Sequence, residues 1–445
     1  MSTRIHISDK FTFGRLLRFA VPSIVMVIFM SLYGIIDGLF VSNFVGDDAF
    51  AAVNLFLPIF YIAGSIGMLL GSGGCALVAK LFGEKNDGSA RRHFTGITMI
   101  TTAIGAVITL SAVWFMPQIA TLLGARESVH ALCAEYGRIM IAGLVPFMLQ
   151  SYFQYYFAVA DRPKLGLLIT VSAGLSNTLG DFLLIYVAKM GVTGAAAATV
   201  FGECIGCIAP AVWLCFKKGK RLYFAKPSFD PKTIAKVCVN GSSEFLSNVS
   251  VSLVSVIYNF QLLKYIGEAG VVAYGVLMYV SFIFVGCYLG FSVGTAPIIG
   301  YNYGAQNTDE LKSVFKKTLV FYAGAAVIST ALSVALARPL SYIFVGYDGS
   351  LLDLTTTALR IFSLSFLVSG FNIYASAFFT ALNNGIISAV ISTARTLVFQ
   401  VVAVYVMPLI FGLDGIWAAT VAAELLSLFV SFAFLLKLRK KYGYI

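Results

Sequence analysis

Long apolar stretches, separated by short polar segments, run through the whole sequence. Most of them reach or exceed the roughly 20 residues that a helix needs to cross the hydrocarbon layer of a membrane. They predict an all-α integral membrane protein with twelve transmembrane helices, called spans 1 to 12 below. The predicted ranges are 19–44, 49–79, 93–116, 131–157, 165–188, 193–216, 237–263, 270–300, 314–337, 354–380, 386–411 and 415–436.

The composition supports a membrane environment. Of the 445 residues, 59% are hydrophobic and only 11% are charged, whereas soluble domains carry about 25% charged residues. The first apolar stretch is longer than the core of about 7–15 residues in a cleaved signal peptide, so it is interpreted as a true span.

The basic residues predict the orientation. The net charge is +11, but Lys and Arg are concentrated in alternate loops rather than on a face with base-stacking aromatics, so no nucleic-acid partner is expected. With the N-terminus inside, the cytoplasmic segments carry 24 Lys and Arg and the opposite segments carry 4. This bias predicts a multi-pass protein of the cytoplasmic (inner) membrane with both termini in the cytoplasm.

The sequence repeats itself at a spacing of about 221 residues. Residues 191–203 align with 412–424, with seven of thirteen positions identical. We therefore predict two pseudo-symmetric six-helix lobes, residues 1–216 and 237–445, joined by a basic cytoplasmic linker at 217–236. Parallel repeats of this kind can rock about a central cavity, as alternating-access transporters do.

Acidic residues inside apolar helices are costly and mark candidate functional sites. Asp37 in span 1, Asn177 and Asp181 in span 5 and Thr199 in span 6 are predicted at a similar depth in the outer leaflet. Their hard oxygen ligands suit Na⁺. Two close carboxyl groups can instead share a proton. We predict cation coupling at these four residues and no other metal site.

The second lobe lacks this pair, since Tyr258 aligns with Asp37 and Val402 with Asp181. A glutamate is present at the same repeat position in both lobes, as Glu203 and Glu424. This retention favours a structural role for each. Arg395 in span 11 is a candidate partner for Glu424.

Aromatic residues cluster in spans 4 and 10. A cavity lined by aromatic rings can hold flat organic cations through cation–π contacts. The candidate substrate-binding residues are Tyr152, Tyr155, Tyr156, Tyr374 and Phe378.

Several motifs together resemble the multidrug and toxic compound extrusion (MATE) family, in its prokaryotic form. They comprise the run 296–307 after span 8 and its counterpart 71–84 after span 2, Asp37, the Asn177-xxx-Asp181 pair, the Gly-rich start of span 6, Asn259, and Arg395 before Pro408. The resemblance covers essentially the whole chain.

The resemblance implies export of organic cations or amphiphilic drugs by Na⁺ or H⁺ antiport, with alternating access between two lobes. It also implies that Asp37, Asn177, Asp181 and Thr199 couple transport to the cation. A lipid-linked saccharide or metabolite exporter of the same two-lobe design is the alternative. No catalytic motif is present, the Cys204-xx-Cys207 pair stands alone, and no enzyme activity or cofactor is expected.

Overall fold

The computed structural model describes residues 5–217 and 219–445, and helices make up all the regular secondary structure in these ranges. Residues 1–4 of the predicted first lobe and Lys218 of the predicted linker lie outside them. The helices are Phe13–Phe44, Asp47–Gly83, Asp87–Trp114, Met116–Leu122, Glu127–Ala142, Leu144–Val159, Pro163–Asp181, Val192–Cys215, Pro231–Ile266, Glu268–Gly304, Thr308–Ala335, Ala337–Val345, Gly349–Ser363, Phe366–Ala381, Gly385–Thr393 and Phe399–Tyr442, with π-helical turns at Phe182–Val187 and Ala394–Val398.

These helices give twelve crossings in the described part of the chain. Nine segments are long and apolar enough to span a membrane, and two further crossings, spans 4 and 10, are helix pairs bent by 50° and 49°. The last segment, Gly385–Tyr442, has 58 residues, or about 87 Å of helix, and is too long for one crossing. It is broken at Gly412, whose φ of 58° is non-helical, and it supplies spans 11 and 12.

The all-helical fold and the twelve spans are confirmed, but several local features could not be predicted from hydropathy. Two short helices, Met116–Leu122 and Ala337–Val345, follow spans 3 and 9 at a spacing of 221 residues. The bends in spans 4 and 10 were also missed. Hydropathy measures how apolar a stretch is, and a bend between two apolar helices leaves it unchanged.

The two lobes approach each other most closely on the side that carries both chain ends, which we call the inner side. There, glycines bring backbones together: a Cβ added at Gly241 would overlap the carbonyl oxygen of Leu69, and one at Gly290 would lie 2.5 Å from the Ile24 Cα. Since even one methyl group would clash, spans 1 and 8, and spans 2 and 7, pack backbone to backbone here.

The outer parts of the same spans are not in such contact. Added Cβ atoms at Gly34, Gly38 and Gly275 would have no other atom within 4 Å. The lobes are thus closed against each other on the inner side and separated at these positions on the outer side.

The segment before span 1 strengthens the inner closure. Asp161 of the first lobe accepts hydrogen bonds from the Ile7 N–H and the His6 ring, both at 2.8 Å, and pairs with Arg221 Nε at 3.3 Å. Glu310 of the second lobe accepts from the Phe11 N–H at 2.8 Å. Residues 5–12 therefore tie both lobes and the linker together.

Candidate functional site

The four side chains predicted to couple the cation come together in the structure. Thr199 Oγ1 lies 3.5 Å from Asp37 Oδ1 and 3.3 Å from Asn177 Nδ2. Asp37 is also within hydrogen-bonding range of Asp181. Spans 1, 5 and 6 thus converge on one cluster, called the coupling cluster below and defined by Asp37, Asn177, Asp181 and Thr199.

Local helix geometry places these groups. Asn177 and Asp181 are one turn apart on span 5, and therefore share a face. Spans 5 and 6 approach closely because of glycines, since a Cβ at Gly180 would lie 2.8 Å from Ala198 and one at Gly202 would lie 2.8 Å from the Ala173 carbonyl oxygen. This contact brings Thr199 to the Asn177 side chain.

Span 5 changes its winding directly after the cluster. The α-helix ends at Asp181 and continues as a π-helical turn over Phe182–Val187. Such turns are rare and occur often at functional sites.

The coupling cluster holds more hydrogen-bond acceptors than donors. Both carboxyl oxygens of Asp181 and Oδ1 of Asn177 are buried without a donor. Asp181 is 0% exposed and Asn177 is 2% exposed. Asp37 and Asp181 can hydrogen-bond to each other only if one of them carries a proton, because ionised carboxylates only accept. Leaving buried acceptors unsatisfied costs about 1–3 kcal/mol each, and more for charged groups, so a bound proton or cation would stabilise the cluster.

The equivalent place in the second lobe is neutral and satisfied. The Tyr258 hydroxyl donates to Gln400 Oε1 at 3.0 Å and lies 3.0 Å from Thr420 Oγ1. Thr420 aligns with Thr199, and Tyr258 with Asp37. The same scaffold therefore holds a closed hydrogen-bond network in one lobe and an acceptor-rich cluster in the other.

A second buried network in the second lobe contains the predicted ion pair. Arg395 Nε lies 2.9 Å from Glu424 Oε1. Asn372 Nδ2 donates to Glu424 Oε2 at 2.8 Å, and Ser431 donates to Asn372 Oδ1 at 2.8 Å. Both carboxyl oxygens of Glu424 have partners, which fits a structural role. Glu203, its counterpart in the first lobe, has no such pair.

The aromatic candidates do not share one cavity. Tyr152, Tyr156, Tyr374 and Phe378 are at most 2% exposed and pack inside the lobes. Tyr152, for example, donates to the Phe94 carbonyl oxygen at 3.1 Å. For these four side chains the predicted position was wrong, because aromatic content does not tell which face of a helix points to the cavity.

Tyr155 alone among the five is partly exposed. Its ring lies near Gly71 of span 2, where an added Cβ would be 2.8 Å from the ring. It stays a candidate substrate contact.

The sequence interpretation missed Gln400, Asn372 and Gln150. They are neutral amides, and a search for charges in apolar helices passes over them. A signal existed, because Gln150 and Asn372 are 222 residues apart, close to the repeat spacing.

Comparisons with known proteins agree with this architecture. The MatE family model matches residues 22–183 and 245–406, once in each lobe. The multidrug export protein MepA of Staphylococcus aureus (strain MRSA252) is 24% identical over 425 residues, which are 94% of this chain and 92% of that protein.

Solved structures share the fold. A MATE in complex with MaL6 superposes with a TM-score of 0.93 at 21% identity, covering 100% of both chains. An outward-facing multidrug resistance MATE family transporter of the MOP superfamily superposes with a TM-score of 0.91 at 22% identity, covering 98% of both chains. The two-lobe helical architecture and the family match over both halves show that this chain is a membrane transporter, not an enzyme, and belongs to the MATE family.

Proposed function

We propose that this protein is a secondary active multidrug exporter that moves organic cations or amphiphilic compounds out of the cell in exchange for Na⁺ or H⁺. Its membership of the MATE family and its similarity to a multidrug export protein support the substrate class. Its small-molecule partners are the drug and the coupling cation, and it needs no cofactor.

The observation that carries the coupling proposal is the shortage of donors in the coupling cluster. Asp181 has two buried oxygens without partners, and Asp37 lies beside it. A shared proton or a Na⁺ held by carboxylate, amide and hydroxyl oxygens would satisfy them. At the equivalent position of the second lobe, the Tyr258 network is neutral and its acceptors have donors. We therefore assign coupling to the first lobe.

The mechanism follows from the cost of an empty cluster. In the state that is open to the outer side, a cation enters, neutralises Asp37 and Asp181 and favours release of the drug. After the lobes reorient, the cation is lost to the inner side, a new drug molecule binds, and the drug-loaded protein returns to the outward-open state. A membrane potential of 100 mV contributes about 2.3 kcal/mol per charge moved inward, enough for about a fifty-fold concentration ratio of a neutral substrate.

The proposed location is the cytoplasmic membrane with both termini in the cytoplasm. The 24 to 4 distribution of Lys and Arg supports this orientation. The inner side is then the cytoplasmic side, and the arrangement of the lobes is outward-open. We assign residues 1–216 and 237–445 to the two moving lobes and 217–236 to the linker between them.

Transport by the purified protein in liposomes tests the proposal. Ethidium movement is measured with a Na⁺ gradient or a pH gradient imposed separately, with the membrane potential clamped at zero. We expect one gradient to drive ethidium against its own concentration difference. If neither gradient moves ethidium or a panel of other organic cations, the multidrug proposal fails, and a lipid-linked saccharide or metabolite becomes the substrate class to test.

A further inference from the structure

Glu203 and Glu424 occupy the same position in the repeat but have different surroundings. They are 221 residues apart and end the most similar stretch of the two lobes. Glu424 is 3% exposed, and Arg395 and Asn372 satisfy both of its carboxyl oxygens. The surroundings of Glu424 are therefore those expected of a buried glutamate with a structural role.

Glu203 has none of these partners. It is 6% exposed, and its Oε2 is buried without a hydrogen-bond donor. The residue that aligns with Arg395 is Gly174, and a Cβ there would lie 2.6 Å from the Phe29 ring. The first lobe therefore has neither the arginine nor the space for one at this point.

Among the described residues, the ionisable groups that interact electrostatically with Glu203 are acidic or neutral. They are Asp37 and Tyr33 of span 1, Tyr61 of span 2, Tyr136 of span 4 and Cys204 of span 6. No Lys or Arg in the described residues forms an ion pair with it. An ionised Glu203 would thus be a buried charge without compensation, which proteins avoid.

Gln150 of span 4 is a second buried acceptor next to span 6. It is 4% exposed and its Oε1 has no donor. It packs against Gly206, where an added Cβ would lie 2.5 Å from Gln150 Cδ. Gly206 follows Glu203 by three residues and so lies on the same helix face. Asn372, the counterpart of Gln150 in the second lobe, donates a hydrogen bond to Glu424. Gln150 and Glu203 do not form the equivalent bond.

We propose that Glu203, with Gln150, binds a second monovalent cation, a proton or Na⁺, distinct from the one in the coupling cluster. The inference rests on the proposed antiport function and extends it to two coupling ions per cycle. Because Glu203 and Asp37 interact electrostatically, a cation at one site lowers the local negative charge and the two sites fill and empty in a linked way.

The number of coupled ions is measured from the limiting ethidium ratio across liposomes. With the membrane potential clamped at zero, this ratio equals the ion ratio raised to the number of ions exchanged per ethidium. The exponent is measured once with a Na⁺ gradient and once with a pH gradient, and we expect the two exponents to sum to two for the wild type and to one for Glu203→Gln. Glu424→Gln is the matched control: it should be less stable because Arg395 loses its partner, but in the folded fraction its two exponents should also sum to two.

The outcomes separate this inference from the proposed function. A sum of one in the wild type, or of two in Glu203→Gln, overturns the second site and leaves antiport intact. A sum of zero in the wild type overturns both. Separate Na⁺ and pH gradients identify which ion fills the site.

A spectroscopic measurement covers the case in which Glu203→Gln no longer transports. Infrared difference spectra are recorded on the purified protein as the Na⁺ concentration or the pH is changed. If the site takes a proton, a protonated-carboxyl band is present in the wild type and in Glu424→Gln and is lost in Glu203→Gln. If it takes Na⁺, a Na⁺-dependent carboxylate band is lost in the same variant. Identical spectra for wild type and Glu203→Gln contradict the proposal.

Discussion

Tyr258 stands in the second lobe where Asp37 stands in the first, and only Asp37 lies in a cluster with unsatisfied acceptors. The Tyr258 hydroxyl is bonded to Gln400 and lies within hydrogen-bonding distance of Thr420, while the cluster around Asp37 contains three buried oxygens without donors. The same repeat position thus holds an acidic residue in one lobe and a neutral, hydrogen-bonded tyrosine in the other. This difference allows the roles of the two lobes to be compared by mutation.

Tyr258→Phe tests the structural side of this comparison. Removing the hydroxyl leaves Gln400 Oε1 without its donor and should lower the free energy of unfolding by about 1–3 kcal/mol. Gradient-driven transport per folded molecule should stay unchanged. Thermal unfolding in detergent and transport in liposomes measure the two effects. Loss of gradient dependence with normal stability would place coupling in the second lobe as well.

The Arg395 and Glu424 pair should behave as a buried ion pair. Either single change, Arg395→Gln or Glu424→Gln, leaves one charge unpaired and should lower the free energy of unfolding by about 3–5 kcal/mol. The double variant should recover part of this loss, because neither member of the pair is left without its partner. A double-mutant cycle by denaturant unfolding gives the interaction energy. Strictly additive effects would contradict the pairing.

Much of the architecture could be predicted from the sequence because hydropathy and charge determine which stretches enter a membrane. The convergence of Asp37, Asn177, Asp181 and Thr199 followed from their depth in the spans. The pairing of Arg395 with Glu424 could be predicted because charged residues are rare inside apolar spans and a buried Arg needs a carboxylate partner. The positions of Tyr152 and Tyr374 could not be predicted, because which face of an apolar helix meets the neighbouring lobe depends on packing.

The difference between Glu203 and Glu424 was also hidden in the sequence. The repeat predicts a structural role for both, because a glutamate is retained at this position in each lobe. Their difference depends on what neighbouring spans contribute, namely Arg395 in one lobe and Gly174 in the other. Only three-dimensional contacts show which carboxyl group is satisfied.

The inner closure can be tested at a single glycine. Gly241→Ala should open the inner side, because the added methyl group overlaps the Leu69 carbonyl oxygen, and overpacking of this kind costs about 1–3 kcal/mol. Spin labels at residues 88 and 309 should report a longer distance in the variant. Gly275→Ala is the control, since its methyl group meets no atom within 4 Å. Equal distances in both variants would contradict a close backbone contact at Gly241.

The N-terminal segment should detach when its anchor is removed. Asp161→Ala deletes the acceptor of the Ile7 N–H and the partner of Arg221. Leaving the buried N–H unsatisfied costs about 1–3 kcal/mol, so trypsin cleavage after Lys10 should become about tenfold faster or more. Asp87→Asn, which alters an exposed ion pair with Arg91, should leave the rate unchanged. An unchanged rate in Asp161→Ala would show that Glu310 and apolar contacts hold the segment alone.

The central claim is that the coupling cluster of the first lobe converts an ion gradient into drug export. The most direct test compares wild type, Asp181→Asn and the surface control Asp353→Asn in liposomes, with ethidium transport driven by the gradient that the wild type uses. Asp181→Asn keeps the shape of the side chain but removes its charge, so we expect gradient-driven accumulation to fall at least tenfold while ethidium binding and thermal stability stay near wild type. Wild-type accumulation by folded Asp181→Asn would contradict the claim.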